Sequence, residues 1–191
     1  MIETTFERQD GNSELWGQIF GPGGHPALTK MHSTYKWLPA DPRCRLCHVP
    51  FGSVGGWIMG RRGKAPCKRN PYYCSACDAF IETYPGGAEV DMSVLYVDVR
   101  NSVATAIEAP TSDVARRINT FLGVATDIIT RNDGFIMAFY GDCVVAVWPP
   151  GFVGPDHAEK AVTAARKLSQ AFDADSHIPA GTGVHTGPVY I

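Results

Sequence analysis

Residues 135–148 read FIMAFYGDCVVAVW, two six-residue apolar runs separated only by Gly141 and Asp142. Two residues are too few for the crossover that parallel pairing needs, so the spacing predicts an antiparallel hairpin with a carboxylate in its tight turn.

The neighbouring segments extend this pattern into a complete order of elements. MSVLYV, residues 92–97, is an apolar run of strand length that stops at Asp98. Val114, Ile118, Phe121, Leu122, Ala125, Ile128 and Ile129 then recur at helical spacing, with Ser112 or Asp113 as the expected N-cap and Asp133-Gly134 as the stop. After the hairpin, Ala158, Ala161, Val162, Ala165, Leu168 and Phe172 mark the buried side of a second helix. GTGVHTGPVYI closes the chain as a Gly-rich strand, with an expected turn at Thr186-Gly187-Pro188. Strand, helix, strand, strand, helix, strand is the ferredoxin-like βαββαβ order, so the fold class is α+β. A right-handed crossover makes the first two strands parallel, with the third antiparallel between them.

This topology brings together two carboxylates that are 44 residues apart. Asp98 ends the first strand and Asp142 lies in the turn between the second and third. Adjacent carboxylates repel unless one is protonated or a cation lies between them. Mg²⁺ favours a site of one or two carboxylates, waters and polyphosphate oxygens, and a two-ion site can activate a hydroxyl while neutralising a leaving pyrophosphate. The following segment, Val99, Arg100, Asn101, Ser102 and Val103, offers backbone N–H groups suited to phosphate oxygens. A Gly-Asp turn and a strand-ending Asp also occur for purely structural reasons, so the pattern alone leaves both readings open.

Residues 92–191 resemble the catalytic domain of class III adenylate/guanylate cyclases in the segments LYVDVRNS, INTFLGVATDIITRNDGFIMAFYGDCVVAV, DHAEKAVTAA and GTGVHTGPV. The resemblance implies that Asp98 and Asp142 hold two Mg²⁺ or Mn²⁺ ions, that residues 99–103 face the triphosphate of ATP or GTP, and that the active site forms across a dimer or with a completing partner domain. It implies a phosphorus–oxygen lyase acting in cyclic-nucleotide signalling. Two departures accompany it. Ala138 stands four residues before the second metal Asp, where adenylate cyclases often carry a base-reading Lys. The chain also reaches Ile191 before the family's later Asn and Arg, so a cyclase core incomplete at its C-terminus, in a fragment of a longer protein, is the expectation. A strand edge left uncovered there would be open to pairing. The alternative is a catalytically inactive, cyclase-like regulatory or interaction protein.

Five of the six cysteines lie between residues 44 and 77. Cys44-Arg45-Leu46-Cys47 and Cys74-Ser75-Ala76-Cys77 are two CxxC knuckles with twenty-six residues between them. Four thiolates suit a closed structural Zn²⁺ site; a single tetrahedral iron, or cysteines without metal, are the other readings. Cys67 and His48 are spare candidates. Metal would supply much of the folding energy of so short a segment. GGWIMG and the basic residues Arg61, Arg62, Lys64, Lys68 and Arg69 lie between the knuckles, either as a solvated basic face and interdomain packing loop or as a weak contact for an anionic surface, lipid or nucleic acid, with Trp57 inserting.

SELWGQIF and ALTKMHSTYKWL, separated by GPGGHP, carry modest helical patterns and no visible chemistry. His157, His185, Cys143 and the Arg100 side chain are read as structural or exposed. With 45% hydrophobic and 19% charged residues and a net charge of −2, the chain has a globular composition, and its charge predicts no nucleic-acid partner. It opens without a signal-peptide pattern and has no bilayer-length apolar run, so the cytoplasm is the expected compartment. The expected organisation is a helical leader at 1–40, a zinc-binding module at 41–80, a linker at 81–90 and a cyclase domain at 91–191.

Overall fold

The computed structural model describes residues 10–35, 42–173 and 177–191. Lys36, Trp37 and Leu38, at the end of the second leader pattern, lie outside the described residues. The chain forms two compact units, the first Met1–Val90 with Val189–Ile191 and the second Asp91–Pro188.

In the first unit, α1 (Ser13–Phe20) and α2 (Pro26–Tyr35) form where the leader patterns predict. Trp16 and Ile19, three apart on α1, are buried together. The Trp16 ring meets Phe80 edge-on at 5.8 Å, and its N–H donates to the Tyr84 carbonyl at 3.0 Å. The cysteine-bearing region is less loop-like than its composition suggests. It contains α3 (Ser53–Met59), a kinked turn at Gly60–Lys64 and α4 (Ser75–Thr83). SVGGWIM has poor helix propensity, so α3 escapes a sequence-based reading. Close packing supports it instead, since a Cβ on Gly56 would stand 2.2 Å from the Phe51 carbonyl oxygen.

The second unit is built on a four-stranded sheet in the order β2-β3-β1-β4, from β1 (Glu89–Val99), β2 (Phe135–Tyr140), β3 (Cys143–Trp148) and β4 (Ala180–Tyr190). β3 is antiparallel to both β1 and β2, so those two strands are parallel to each other, as the βαββαβ order requires. Helices α5 (Ser102–Glu108), α6 (Thr111–Arg131), α7 (Pro150–Val153) and α8 (His157–Ala171) complete the α+β unit. Leu95 and Val97 of β1 and Val144, Ala146 and Trp148 of β3 share a core with Phe121, Ala125 and Ile129 of α6 and Ala161, Ala164 and Leu168 of α8. Each large apolar side chain fully buried there is worth about 1.5–3 kcal/mol.

Four expectations change. The span from Asp98 to α6 contains α5 rather than a plain loop. α6 begins at Thr111 with Pro110 at the N-cap, two residues before Ser112 and three before Asp113. α8 buries Ala161, Ala164 and Leu168 rather than Val162, which is 38% exposed. Finally, Thr186-Gly187-Pro188 is no turn, because β4 runs unbroken to Tyr190. As an edge strand, β4 tolerates the N–H that Pro188 lacks. The end of α6 does match the pattern: Asp133 takes φ +61°, and the Gly134 N–H returns to the Ile129 carbonyl at 2.9 Å.

Candidate functional sites

In the second unit, the hairpin turn sets the geometry. Gly141 takes φ +63° at the first central position, a conformation that glycine adopts without steric cost, and Asp142 follows directly. The β1–β3 register pairs Asp98 with Cys143, the residue after Asp142. The Val99 N–H donates to the Asp142 carbonyl at 3.4 Å, which ties the end of β1 to the turn. The two carboxylates are thus neighbours through pairing, despite their distance in sequence.

Their electrostatics follow from this placement. Partial burial raises the Asp98 carboxyl pKa above its ordinary value, the Asp142 charge raises it further, and a bond from the Val99 N–H opposes both. The Cys143 thiol is likewise pushed up, by burial and then by the two carboxylates. Oδ2 of Asp142 is buried without a hydrogen-bond partner among the described residues. A buried acceptor without a donor is costly, and a cation is one group able to satisfy it. Two adjacent carboxylates, one with an orphaned oxygen, fit the donor set of a hard divalent ion.

Register also places Ala138. Asp98, Cys143 and Tyr140 form one row across three strands, and Tyr96, Val145 and Ala138 form a row two residues further along. Ala138 therefore lies on the sheet face shared by Asp98, where its methyl group has no polar atom to offer a base. A register shift between Ile136 and Ala138 marks a bulge in β2 beside this row.

The segment after Asp98 is only partly available as a backbone cradle. The Val99 N–H is used by Asp142, and the Arg100 N–H donates to the Pro179 carbonyl at 2.8 Å. Asn101 takes φ +56° and leads into α5, whose first residues are Ser102 and Val103. N–H groups in the first turn of a helix have no intrahelical acceptor. Beside Asp142 lies a cleft of ≈ 210 Å³ lined by Ser102, Val103, Val114, Arg117 and Ile118, among others. The sequence reading did not assign this cleft or Arg117, whose guanidinium donates to the His177 carbonyl at 2.8 Å. The sequence carried no distinct signal for Arg117, since Arg116 and Arg117 read alike as the polar side of α6.

His157 has a structural place, with Nδ1 3.0 Å from the Ser93 hydroxyl, which also bonds Thr186 at 2.7 Å.

In the first unit, the Sγ atoms of Cys44, Cys47, Cys74 and Cys77 all lie within 4.8 Å of one another, and all four residues are buried. Cys47 and Cys74 stand 3.7 Å apart. That is too long for a disulfide of about 2.05 Å and close to the roughly 3.8 Å edge of a tetrahedron with 2.3 Å metal–sulfur bonds. The knuckles make this set by different local means. The first is a tight turn in which the Cys44 N–H bonds the Val49 carbonyl and the His48 N–H bonds the Cys44 carbonyl, each at 3.0 Å. The second opens α4, and the Cys74 N–H donates to Cys44 Sγ at 3.3 Å. A helix N-terminus favours thiolate there.

Bonds from the other three thiols hold Cys44 well below the ordinary thiol range, whereas Cys47 and Cys77 are pushed up, first by Cys44. Four contacting thiols thus resist complete ionisation unless a cation compensates them. The two spare candidates have other contacts. Cys67 Sγ donates to Asp78 Oδ2 at 3.1 Å, and the His48 ring stacks on His32 with centroids 4.2 Å apart.

No protein-family model matches the chain. Among curated proteins, it is 28% identical over 105 residues to an uncharacterized protein of Mycobacterium tuberculosis, covering 54% of this chain and 19% of the relative. It is 29% identical over 107 residues to the terminal-differentiation-specific adenylate cyclase of Dictyostelium discoideum, covering 52% of this chain and 5% of that protein. The chain spans about a fifth or less of the length of these relatives. Similar solved structures include the dimeric guanylyl cyclase domain of the RhoGC fusion protein from Blastocladiella emersonii, at TM-score 0.48, 23% identity, and 52% and 58% coverage of the two chains. The adenylyl cyclase CyaB from P. aeruginosa gives TM-score 0.46, 20% identity, and 52% and 57% coverage.

Proposed function

We propose that the second unit belongs to a nucleotidyl cyclase that binds ATP or GTP through divalent ions held by Asp98 and Asp142. The observation that carries this reading is the adjacency of Asp98 to the hairpin turn, together with the unsatisfied, buried Oδ2 of Asp142. The likeness to a protein named as an adenylate cyclase supports it. Mg²⁺ or Mn²⁺, when bound, supplies charge neutralisation at the phosphates and lowers the pKa of an attacking hydroxyl. The chain's own residues orient this chemistry: β-pairing fixes Asp98, the turn fixes Asp142, and Asn101, Ser102 and Val103 present backbone N–H groups toward an anion. Tyr96 and Tyr140, 54% and 69% exposed near Asp98, support self-association of this sheet region. In the first unit, Cys44, Cys47, Cys74 and Cys77 hold one structural Zn²⁺.

The test is Mn²⁺- or Mg²⁺-dependent binding of a nonhydrolysable ATP or GTP analogue. Binding should disappear in Asp98→Ala and Asp142→Asn while the cooperative unfolding transition is retained. Metal-independent binding, or none by the unaltered chain, overturns the proposal.

A second reading, in which the same unit serves as a regulatory or docking domain without catalysis, is favoured by Ala138, which provides no side-chain hydrogen bond to a base. Nucleotide binding that does not distinguish adenine from guanine would support it.

A further inference from the structure

α3 is amphipathic in the wrong direction for a packing helix. Val54, Trp57 and Ile58 fall at positions i, i+3 and i+4, so they share one face. They are 71%, 59% and 40% exposed. The residues that fix α3 to the preceding segment are small: a Cβ on Gly56 would meet the Phe51 backbone, and one on Gly55 would stand 3.1 Å from the Pro50 ring. Met59 is the helix's buried side chain. Glycine thus faces the protein and the large apolar side chains face solvent, against the hydrophobic effect unless something else covers them.

The charge around this stripe indicates what covers it. From residue 42 to residue 77 there is no Asp or Glu, while Arg43, Arg45, Arg61, Arg62, Lys64, Lys68 and Arg69 all occur. Arg61 lies over the Trp57 ring, with Cζ 3.8 Å from its centroid, so a cation flanks the apolar face. Arg61 and Arg62 are exposed in the turn that follows α3, and among the described residues neither has a carboxylate partner. Arg69, by contrast, is held by Asp78 and Glu82, each at 2.9 Å.

We propose that α3 and its following turn dock on an anionic membrane surface. Val54, Trp57 and Ile58 enter the headgroup boundary, while Arg61 and Arg62 meet lipid phosphates. An apolar face carrying Trp beside unpaired arginines matches the chemistry of that interface. A nucleic acid would use the cations but leave the aliphatic stripe exposed. This inference does not depend on the activity of the second unit.

The test is co-sedimentation of the zinc-loaded chain with phosphatidylcholine vesicles, with and without a minority of phosphatidylserine. Binding is expected only to the anionic vesicles, weakening as salt rises. Replacing both arginines by glutamine should weaken it about fivefold per charge removed. The combined V54S, W57S and I58S variant should lose about tenfold or more. Retained zinc in that variant shows that its module is folded. Lipid-borne bromine should quench fluorescence of the unaltered chain, and Trp57→Phe should bind while losing that quenching, which gives a readout independent of the triple variant. No anionic-vesicle binding overturns the proposal, as does equal binding by the triple variant. So does finding that the triple substitution abolishes self-association or oligonucleotide binding while vesicle binding is absent.

Discussion

The two units use the same chain chemistry to reach order by different routes. The second has a continuous core in which Leu95, Val97, Phe121, Ile129, Trp148 and Leu168 are fully buried. The first places four buried thiols at the centre of its knuckles, with Ile19, Leu28, Leu46 and Phe80 alongside Cys47 and Cys77. The comparison shows that burial alone can specify a sheet packed against helices, whereas a short segment rich in Gly, Pro and Cys needs a cross-link or an ion to offset its chain entropy.

Removing the Zn²⁺ proposed for the four thiols should separate the units most sharply. Structural Zn²⁺ in small sites supplies roughly 10–16 kcal/mol, so a strong chelator, or Cys44→Ser with Cys74→Ser, should unfold the first unit and leave the unfolding transition of the second in place. Near- and far-ultraviolet circular dichroism with bound-metal analysis checks this, and simultaneous loss of both transitions would refute their independence. The converse experiment has a smaller effect. Phe121→Ala, at a fully buried position, should cost the second unit about 3–5 kcal/mol in denaturant unfolding without changing metal content.

The smallest effect, taken per pH unit, concerns acid. Burial, followed by the charges of His32 and Arg43, lowers the His48 pKa to about 3, and burial also lowers that of His32. Both folded-state values lie below the unfolded value of about 6.5, so folding favours the neutral rings. The His48 contribution is full above that pH and declines as pH falls toward 3, and that of His32 declines in the same direction. The first unit should therefore lose at most about 1.4 kcal/mol per pH unit through His48 in this window. His48→Asn, which accommodates the left-handed φ of +59° at that position, should flatten the slope in melting curves recorded against pH.

Much of the second unit was legible because its signals are local. Six apolar residues, a Gly-Asp turn and six more describe a hairpin almost completely, and β2 and β3 have the predicted bounds. The two CxxC spacings likewise identify all four thiols that converge. α5 was missed because SVATAIE buries none of its side chains and so leaves no core periodicity. The turn read at Thr186-Gly187-Pro188 failed because Gly and Pro are also tolerated on an edge strand, and edge position belongs to the sheet rather than to the segment.

The sequence by itself determined the βαββαβ order of the second unit's core elements, the turn that carries Asp142 and the pairing of cysteines into knuckles. These rest on periodicity and on the steric limits of short connections. Tertiary structure alone decided that Asp142 Oδ2 is buried without a donor among the described residues, that the Val99 and Arg100 N–H groups are already engaged, and that α3 turns its glycines inward. Burial, hydrogen-bond occupancy and facing depend on what the rest of the chain brings alongside a residue, and no local window of sequence contains that information.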